Sequence, residues 1–186
     1  MSTLTFLRLL AVLLCAFACA HVPAATLLAI VTERAAPVAI DAAHRHLASH
    51  PRDRIVLRTP AQWMAASERE TALWIRQADS ILAVSLFGDP TRRLKDALAR
   101  HTRPQTAVLS FNGEAGLSLM SRSPCGALLD FSPEVLRELS GEAPSASALQ
   151  AAQADCAARR WLGARQVWQA GGVDNTRRGI GVEGKL

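Results

Sequence analysis

Residues 80–90 read SILAVSLFGDP, and this stretch decides the fold more than any other. The first eight residues are almost continuously apolar, which is typical of a strand covered on both faces of a parallel sheet. The Asp89-Pro90 pair that follows indicates a helix start, because Asp is a favoured N-cap and Pro is well tolerated at the first helical position. A covered strand that runs directly into a helix is the repeating unit of an α/β protein.

Three further apolar runs are separated by segments of helical length. They are residues 26–32 (TLLAIVT), 54–58 (RIVLR) and 105–111 (QTAVLSF). Helices are predicted between them at residues 37–50 and 61–77, with Thr59-Pro60 as N-cap and first helical position of the second. This alternation predicts an α/β fold with an open parallel sheet of four to five strands, flavodoxin- or Rossmann-like, and right-handed crossovers.

Beyond residue 112 the pattern loosens into a loop-rich stretch with room for a fifth strand at residues 127–131. Ser132-Pro133-Glu134 predicts a brief helix, and Pro144-Ser145 precedes the last and longest helix, which we expect to reach Gln169. The predicted organisation is a signal peptide at 1–25, an α/β domain at 26–140, a long helix at 141–170 and a Gly-rich tail at 171–186.

The first 25 residues are predicted to be a secretory signal peptide. Arg8 is their only charged residue, an apolar run covers residues 9–20, and small residues predict cleavage near Ala20 or Ala25. The apolar run is short for a membrane span, so we expect no transmembrane span after cleavage. The mature protein is therefore expected in the periplasm or otherwise exported.

A lipoprotein anchor is the less favoured alternative for the same segment. Cys19 would be the lipidated residue, but Ala16 stands where a large aliphatic residue is preferred. After cleavage only Cys125 and Cys156 remain. Two cysteines in an oxidising compartment can pair, but the sequence does not give the Cα separation that a disulfide requires, so the pairing is left open.

Composition is typical of a globular domain, with 49% apolar and 20% charged residues. The net charge of +5 comes mainly from arginine, since Lys95 and Lys185 are the only lysines. The arginines are scattered and lack the interleaved aromatic side chains that would stack on bases. A solvated basic surface is the preferred interpretation, and no nucleic-acid partner is predicted.

Three histidines raise the question of a metal site. His46 and His50 lie one turn apart on the predicted helix, and His44 is close by, but no carboxylate stands at a ligating offset. We expect these side chains to face away from the apolar side that carries Ile40, Ala43 and Leu47. An exposed polar face near a helix C-terminus, where the dipole favours histidine, is the preferred interpretation, and no metal ligand is assigned.

Three carboxylates are the candidate ligand-binding residues. Glu33, Asp89 and Glu114 follow the first, third and fourth predicted strands. Ligands of open α/β sheets bind beyond the carboxyl ends of the strands, so the three could form one crevice that positions a cation or a polar ligand. In the alternative interpretation Asp89 caps its helix, and Glu33 and Glu114 are ordinary loop residues.

Catalytic motifs give no further site. The chain has no P-loop, no nucleophile elbow and no zinc-protease motif. Residues 179–184 match G-x-G-x-x-G, but they follow no predicted strand and open no helix, so the match is interpreted as chance. No catalytic residue and no cofactor are assigned to this chain.

The last predicted helix carries a stripe of Ala157, Trp161, Ala164 and Trp168 along one side. Packing of this stripe against the sheet is preferred over a partner-binding face. If the chain is incomplete, the stripe would instead pack against the missing part.

Several stretches resemble a known family. LLAIVTERAAPVAIDAAHRHLASHP (27–51), RTPAQW (58–63) and QADSILAVSLFGD (77–89) resemble the N-terminal domain of cobaltochelatase large (CobN-type) subunits, a family that includes the magnesium chelatase large subunit. WQAGGVDN (168–175) resembles the aromatic-Trp-Gln-x-Gly-Gly-x-Glu-Asn element at the start of that family's main body. Val167 departs from it, since an aromatic residue is usual there.

The resemblance implies a role in inserting a divalent metal into a tetrapyrrole, as in cobalamin or porphyrin biosynthesis. It implies a tetrapyrrole or other chelatase subunits, including ATPases, as partners. The family's porphyrin and metal positions lie downstream of the shared element, so no site residue is carried over.

The Gly-rich tail replaces the helix expected after Asn175, which suits a truncated gene product. We therefore interpret the chain as an N-terminal fragment of a CobN-like subunit that is inactive alone. The alternative is a stand-alone periplasmic flavodoxin-like module that binds a small ligand or a protein partner.

Overall fold

A computed structural model describes residues 24–123, 125–127, 133–141 and 144–172. These residues form an α/β fold with one six-stranded sheet in the order β2-β1-β3-β4-β5-β6. The strands are β1 (Thr26–Ile30), β2 (Arg54–Arg58), β3 (Ser80–Val84), β4 (Ala107–Phe111), β5 (Arg122–Ser123) and β6 (Gly126–Ala127). The first four strands pair in parallel, and β5 and β6 extend the sheet in antiparallel fashion.

The predicted open parallel sheet is therefore confirmed, and its strand order is flavodoxin-like. The fifth strand begins earlier than predicted, at Arg122, and forms a small hairpin with β6. Residues 128–131 of the predicted strand lie outside the described residues.

Eight helices of the described residues cover both faces of the sheet. They are α1 (Ala36–Ser49), α2 (Pro60–Ala65), α3 (Glu68–Gln77), α4 (Asp89–His101), α5 (Ala115–Ser118), α6 (Pro133–Leu139), α7 (Ala146–Ala154) and α8 (Cys156–Gln169). One apolar core joins α1, α6, α7 and α8 to the sheet, and the other joins α2, α3, α4 and α5 to its opposite face.

Alternate side chains of each central strand enter different cores. In β1, Leu27 and Ala29 belong to the first core, whereas Leu28 and Ile30 belong to the second. Side chains of a strand point alternately to the two faces of its sheet. Because both faces are covered, both sets must be apolar, and this explains the unbroken apolar runs in the sequence.

The prediction of one continuous helix at residues 61–77 is wrong, because the structure has two helices there. Thr59 is the N-cap of α2 and forms a capping box with Gln62, as Thr59-Pro60 predicted. A second capping box follows, in which the Ser67 hydroxyl accepts from Glu70 N–H and the Glu70 carboxylate accepts from Ser67 N–H at 2.8 Å. Because the N–H groups of both Ser67 and Glu70 are satisfied by these side chains, a new helix start at Ser67 is favoured over a continuous helix.

The predicted long helix is also divided. Ser145 is its N-cap as predicted, and its end at Gln169 is correct. However, α7 ends at Ala154, and Asp155 caps α8 through a carboxylate that accepts from Ala158 N–H at 2.7 Å. After α8, Gly171 and Gly172 have φ values of 65° and 77°, a left-handed conformation that glycine adopts without steric cost.

Packing of the tryptophan stripe against the sheet is confirmed. Trp161 is fully buried, and its indole N–H donates to Ser110 O at 2.7 Å. Trp168 is half-buried, and its ring meets the Phe111 ring edge-on with centroids 6.2 Å apart. The first core therefore uses this face of α8 within the chain itself.

Some predicted features lie outside the described residues. These are the signal peptide up to residue 23 and the tail from residue 173, which contains Asn175 and the G-x-G-x-x-G match. Among the residues that the structure does describe, no helix is both long enough and apolar enough to cross a bilayer.

Candidate functional site

The carboxyl edge of the sheet, where the four parallel strands end, carries two loops in unusually close contact. The loop after β3 contains Ser85 and the loop after β4 contains Asn112, each with a φ of 56°, which is uncommon outside glycine. Glu114 N–H donates to Leu86 O at 3.2 Å. A Cβ atom on Gly113 would lie 2.7 Å from Leu86 O, so only glycine permits this approach.

The side chain of Glu114 also takes part in this contact. Its Oε1 accepts from Gly88 N–H at 2.6 Å. Gly88 is the N-cap residue of α4 and has no side chain with which to cap it. The carboxylate of Glu114 therefore lies at a helix N-terminus, where backbone N–H groups and the helix dipole stabilise a negative charge.

Glu33 lies in an equivalent position at α2. Its carboxylate accepts from Ala61 N–H, in the first turn of that helix, at 3.4 Å. The pKa of Glu33 is held below its usual value by hydrogen bonds from backbone N–H groups, first its own and then that of Ala61. A second predicted ligand carboxylate is thus already bound to a helix N-terminus.

The predicted capping role of Asp89 is wrong. Gly88 occupies the N-cap position, and Asp89 is the first residue of α4. The exposed Asp89 carboxylate pairs with Arg92 one turn further on. Because Gly88 already has the backbone conformation that starts the helix, Asp89 lies inside it, where its charge still favours the N-terminal dipole.

The three carboxylates do not surround one crevice as predicted. A groove of about 320 Å³ at this edge is lined by Gly88, Arg92, Lys95, Asp96 and Glu114, and neither Glu33 nor Asp89 lines it. Across the described ranges, no three His, Cys, Asp or Glu side chains are grouped closely enough to hold a metal ion. The groove offers mixed charges for a small polar molecule.

Lys95 lies in the groove beside Gly116. It is half-buried on α4, and a Cβ on Gly116 would come within 3.2 Å of its Nζ. Arg92 and Glu114 in the same groove are engaged with Asp89 and Gly88 respectively. The groove can therefore bind polar groups, but it presents no nucleophile with an adjacent base.

The predicted exposed histidine face is wrong for His46. This side chain is buried with Ala39, Ala42 and Ala43, whereas Ile40 is 46% exposed. Small alanines allow α1 to pack closely on the sheet, and Asp53 gives the buried imidazole a partner, with Nε2 2.8 Å from Oδ2. Ala43 on the predicted core side is buried, but Ile40 is exposed, so the core face of α1 is rotated relative to the prediction and includes His46.

His46 and Asp53 form the centre of a polar cluster at the amino edge, where the parallel strands begin. The His50 ring stacks on His46 with centroids 4.5 Å apart. Burial alone would raise the pKa of Asp53, but hydrogen bonds from His46 and from Ala25 N–H hold it below its usual value. No sequence motif marked this cluster, although Asp53 lies only seven residues after His46.

The pairing of Cys125 with Cys156, which the sequence left open, is present as a disulfide. The two Cα atoms are 5.9 Å apart, a separation that a disulfide can bridge. Cys125 lies in the turn between β5 and β6, and Cys156 is the first residue of α8. The bond therefore fastens the small hairpin to the last helix.

Arg165 was not identified from the sequence. It is buried, its Nε donates to Asn112 Oδ1 at 3.1 Å, and its terminal nitrogens donate to the carbonyls of Leu139 and Ser140. Burial lowers the pKa of this guanidinium. Arg165 binds the C-terminal carbonyls of α6 and joins them to the loop after β4, which is a structural role.

Comparison with known proteins does not assign a family. No protein-family model matches the sequence, and no curated protein matches it significantly. Function is therefore inferred from the residues described above and from the sequence resemblance to CobN-type subunits.

Proposed function

We propose that this chain is the N-terminal domain of a CobN-type chelatase large subunit and that it serves as a binding domain without chemistry of its own. The resemblance of residues 27–175 to that family supports the assignment. The binding role rests on the hydrogen bonds at the carboxyl edge of the sheet. Its helix N-termini are already occupied by Glu33 and Glu114.

These positions are the ones that phosphate groups use in other open α/β sheets. A phosphate at Gly88 N–H or Ala61 N–H would have to displace a carboxylate of this chain and would be repelled by its charge. Nucleotide or flavin binding at this edge is therefore disfavoured. In a chelatase the ATP would be bound by separate ATPase subunits, which agrees with a domain that binds no nucleotide itself.

The end of α8 supports a docking role for the same edge. Arg165 and Trp168 contact Asn112 and Phe111, so the last turns of α8 lie over the carboxyl end of β4. Helix α8 therefore ends near this edge. In the family that the sequence resembles, the main body follows this element, and it would begin next to the carboxyl edge.

The first test is an activity measurement. The purified chain, given protoporphyrin IX, Mg²⁺ or Co²⁺, ATP and the ATPase subunits, should insert no metal into the macrocycle. The readout is the visible absorption spectrum, and measurable insertion by this chain alone would contradict the proposal.

The second test asks whether the domain docks. Adding the chain to a CobN-type subunit that lacks its own N-terminal domain should increase metal insertion. Phe87→Ser should weaken that effect, because Phe87 is 61% exposed in the loop after β3. Leu73→Ser is the matched control, since Leu73 is 44% exposed on α3, outside the carboxyl-edge loops. No stimulation by the unaltered chain, or equal effects of the two variants, would contradict docking at this edge.

A stand-alone exported module is the second candidate, and one observation favours it. Trp161 is fully buried inside the chain's own core, so that face of α8 needs no further domain to cover it. Such a module would bind a small polar ligand or a partner through the groove beside Lys95. The genomic sequence downstream separates the two candidates: a chelatase body in another reading frame supports the fragment, and an unrelated neighbour supports the module.

A further inference from the structure

The start of β1 is held by two carboxylates from neighbouring segments. Asp53 Oδ1 accepts from Ala25 N–H at 3.1 Å, and Asp79 Oδ2 accepts from Thr26 N–H at 2.8 Å. Asp79 is also paired with Arg103 at 2.8 Å, whereas Asp53 is paired with His46. At the amino edge, two acidic side chains thus bind the backbone N–H groups of Ala25 and Thr26.

Ala25 lies just before β1 and is hydrogen-bonded both to β2 and to Asp53. The Ala25 carbonyl accepts from Arg54 N–H at 2.8 Å, in addition to the bond from its own N–H to Asp53. Ala24 is exposed and lies outside any strand. Cleavage after Ala25 would remove both hydrogen bonds from the folded protein. Of the predicted cleavage positions, near Ala20 and near Ala25, a cut directly after Ala25 is therefore disfavoured.

No permanently charged cation of the described residues is among the groups that act on Asp53 before cleavage. Its side chain is 19% exposed, and the ionisable groups that act on it are His46 and His50, which carry charge only when protonated. The nearby Arg54 guanidinium donates instead to Gln77 Oε1 at 3.1 Å. A mostly buried carboxylate is most stable when a full positive charge lies within hydrogen-bonding distance.

We propose that export processing breaks the peptide bond between Ala24 and Ala25 and that the new α-ammonium group of Ala25 binds Asp53. A signal peptidase would hydrolyse this bond with one water molecule, which leaves a carboxylate on Ala24 and an amine on Ala25 that takes up a proton. Small residues on both sides of the bond suit such an enzyme. The ammonium group then supplies a full positive charge to Asp53. The proposal depends on the predicted signal peptide and not on the chelatase assignment.

The intact mass of the exported protein tests the position of the cut. The full chain is expressed in a bacterium, recovered from the periplasm and measured by mass spectrometry. The expected species begins at Ala25. A chain that begins at His21 or Thr26, or one that keeps residues 1–24, would overturn the proposal.

The reactivity of the new amine tests its contact with Asp53. Acylation of the Ala25 amine near neutral pH should be about fivefold slower in the unaltered protein than in Asp53→Asn, because a carboxylate at this distance stabilises the protonated, unreactive form. Peptide mapping separates this amine from the only lysines, Lys95 and Lys185. Asp41→Asn is the matched control, since Asp41 pairs with Arg45 on the exposed side of α1. Equal rates in the unaltered protein and Asp53→Asn would overturn the contact. If Asp53→Asn does not fold, the intact mass still decides the cleavage site.

Discussion

The N-terminal region, residues 24–111, and the C-terminal region, residues 112–172, are stabilised in different ways. The N-terminal region contains four parallel strands, three of which (β1, β3 and β4) are buried on both faces, so its stability is distributed over many contacts. In its described residues, the C-terminal region has two two-residue strands and four helices, the longest of which is the 14-residue α8. Beyond its share of the first core, it is held by a few point contacts: Trp161, Arg165 and the Cys125–Cys156 disulfide. Single substitutions should therefore affect the C-terminal region more severely.

The largest effect is expected from Trp161→Ala. This change removes a fully buried indole and its hydrogen bond to Ser110 O, and it should lower the free energy of unfolding by about 3–5 kcal/mol. Urea denaturation followed by circular dichroism measures the loss. Trp168→Ala is the control, since Trp168 is only half-buried and should cost less. Similar losses for both would show that Trp161 is not a special contact of the C-terminal region.

The next largest effect is expected from removing the disulfide. It joins residues 31 apart, and loop-closure entropy for such a loop predicts a loss of about 3–4 kcal/mol in a Cys125→Ser, Cys156→Ser double variant. Amide hydrogen exchange should accelerate in α8 and the β5–β6 hairpin more than in β1 and β3. Faster exchange throughout both regions would contradict a local role. Without reductant, neither cysteine of the exported protein should react with a thiol reagent.

Loss of a helix cap in the N-terminal region should have a smaller effect. Thr59→Ala removes the side chain that caps α2 and should cost about 1 kcal/mol. The exposed Ser49→Ala at the end of α1 is the control and should change stability very little. A loss at Thr59 as large as that at Trp161 would contradict the distributed stability of the N-terminal region.

The smallest effect concerns acid stability. The folded-state pKa of Asp53 lies below the model-compound value of 3.8, so its contribution to stability is complete above that value. The contribution is lost as the pH falls through the lower, folded-state pKa. Asp53→Asn should therefore flatten the decline in stability below about pH 4, measured by thermal unfolding across a pH series. An unchanged acid profile would show that the amino-edge cluster does not contribute.

The fold could be predicted because its strands are covered on both faces. Continuous apolar runs located all four parallel strands, whose ends differ from the prediction by no more than three residues. The helix breaks were missed at Ser67 and Asp155, because a capping side chain can interrupt a segment whose apolar pattern continues. The spacing of Ser67 and Glu70 is that of a capping box, so the first break could have been predicted. In α1, the buried alanines gave too weak an apolar signal, and the prediction wrongly included the exposed Ile40 in the core face.

The sequence predicted where the candidate site residues lie along the chain, but not which groups they bind. Glu33, Asp89 and Glu114 follow the strand ends as their order along the chain requires. Their partners depend on how closely the loops approach. Glu114 and Gly88 are 26 residues apart, and their contact depends on a backbone approach that only Gly113 allows. Such contacts leave no spacing pattern in a single sequence.

If the chain is exported, as its first 25 residues predict, the Cys125–Cys156 disulfide would also set an order in time. Disulfides form and persist in oxidising compartments, so a chain awaiting export in the cytoplasm would lack this crosslink. Its C-terminal region would then open more easily than the strands of its N-terminal region, since loop closure no longer restricts the unfolded chain. A chain that completes its fold only after oxidation resists translocation less than one that is already locked. The disulfide would then form last, after translocation, and complete the fold of the C-terminal region.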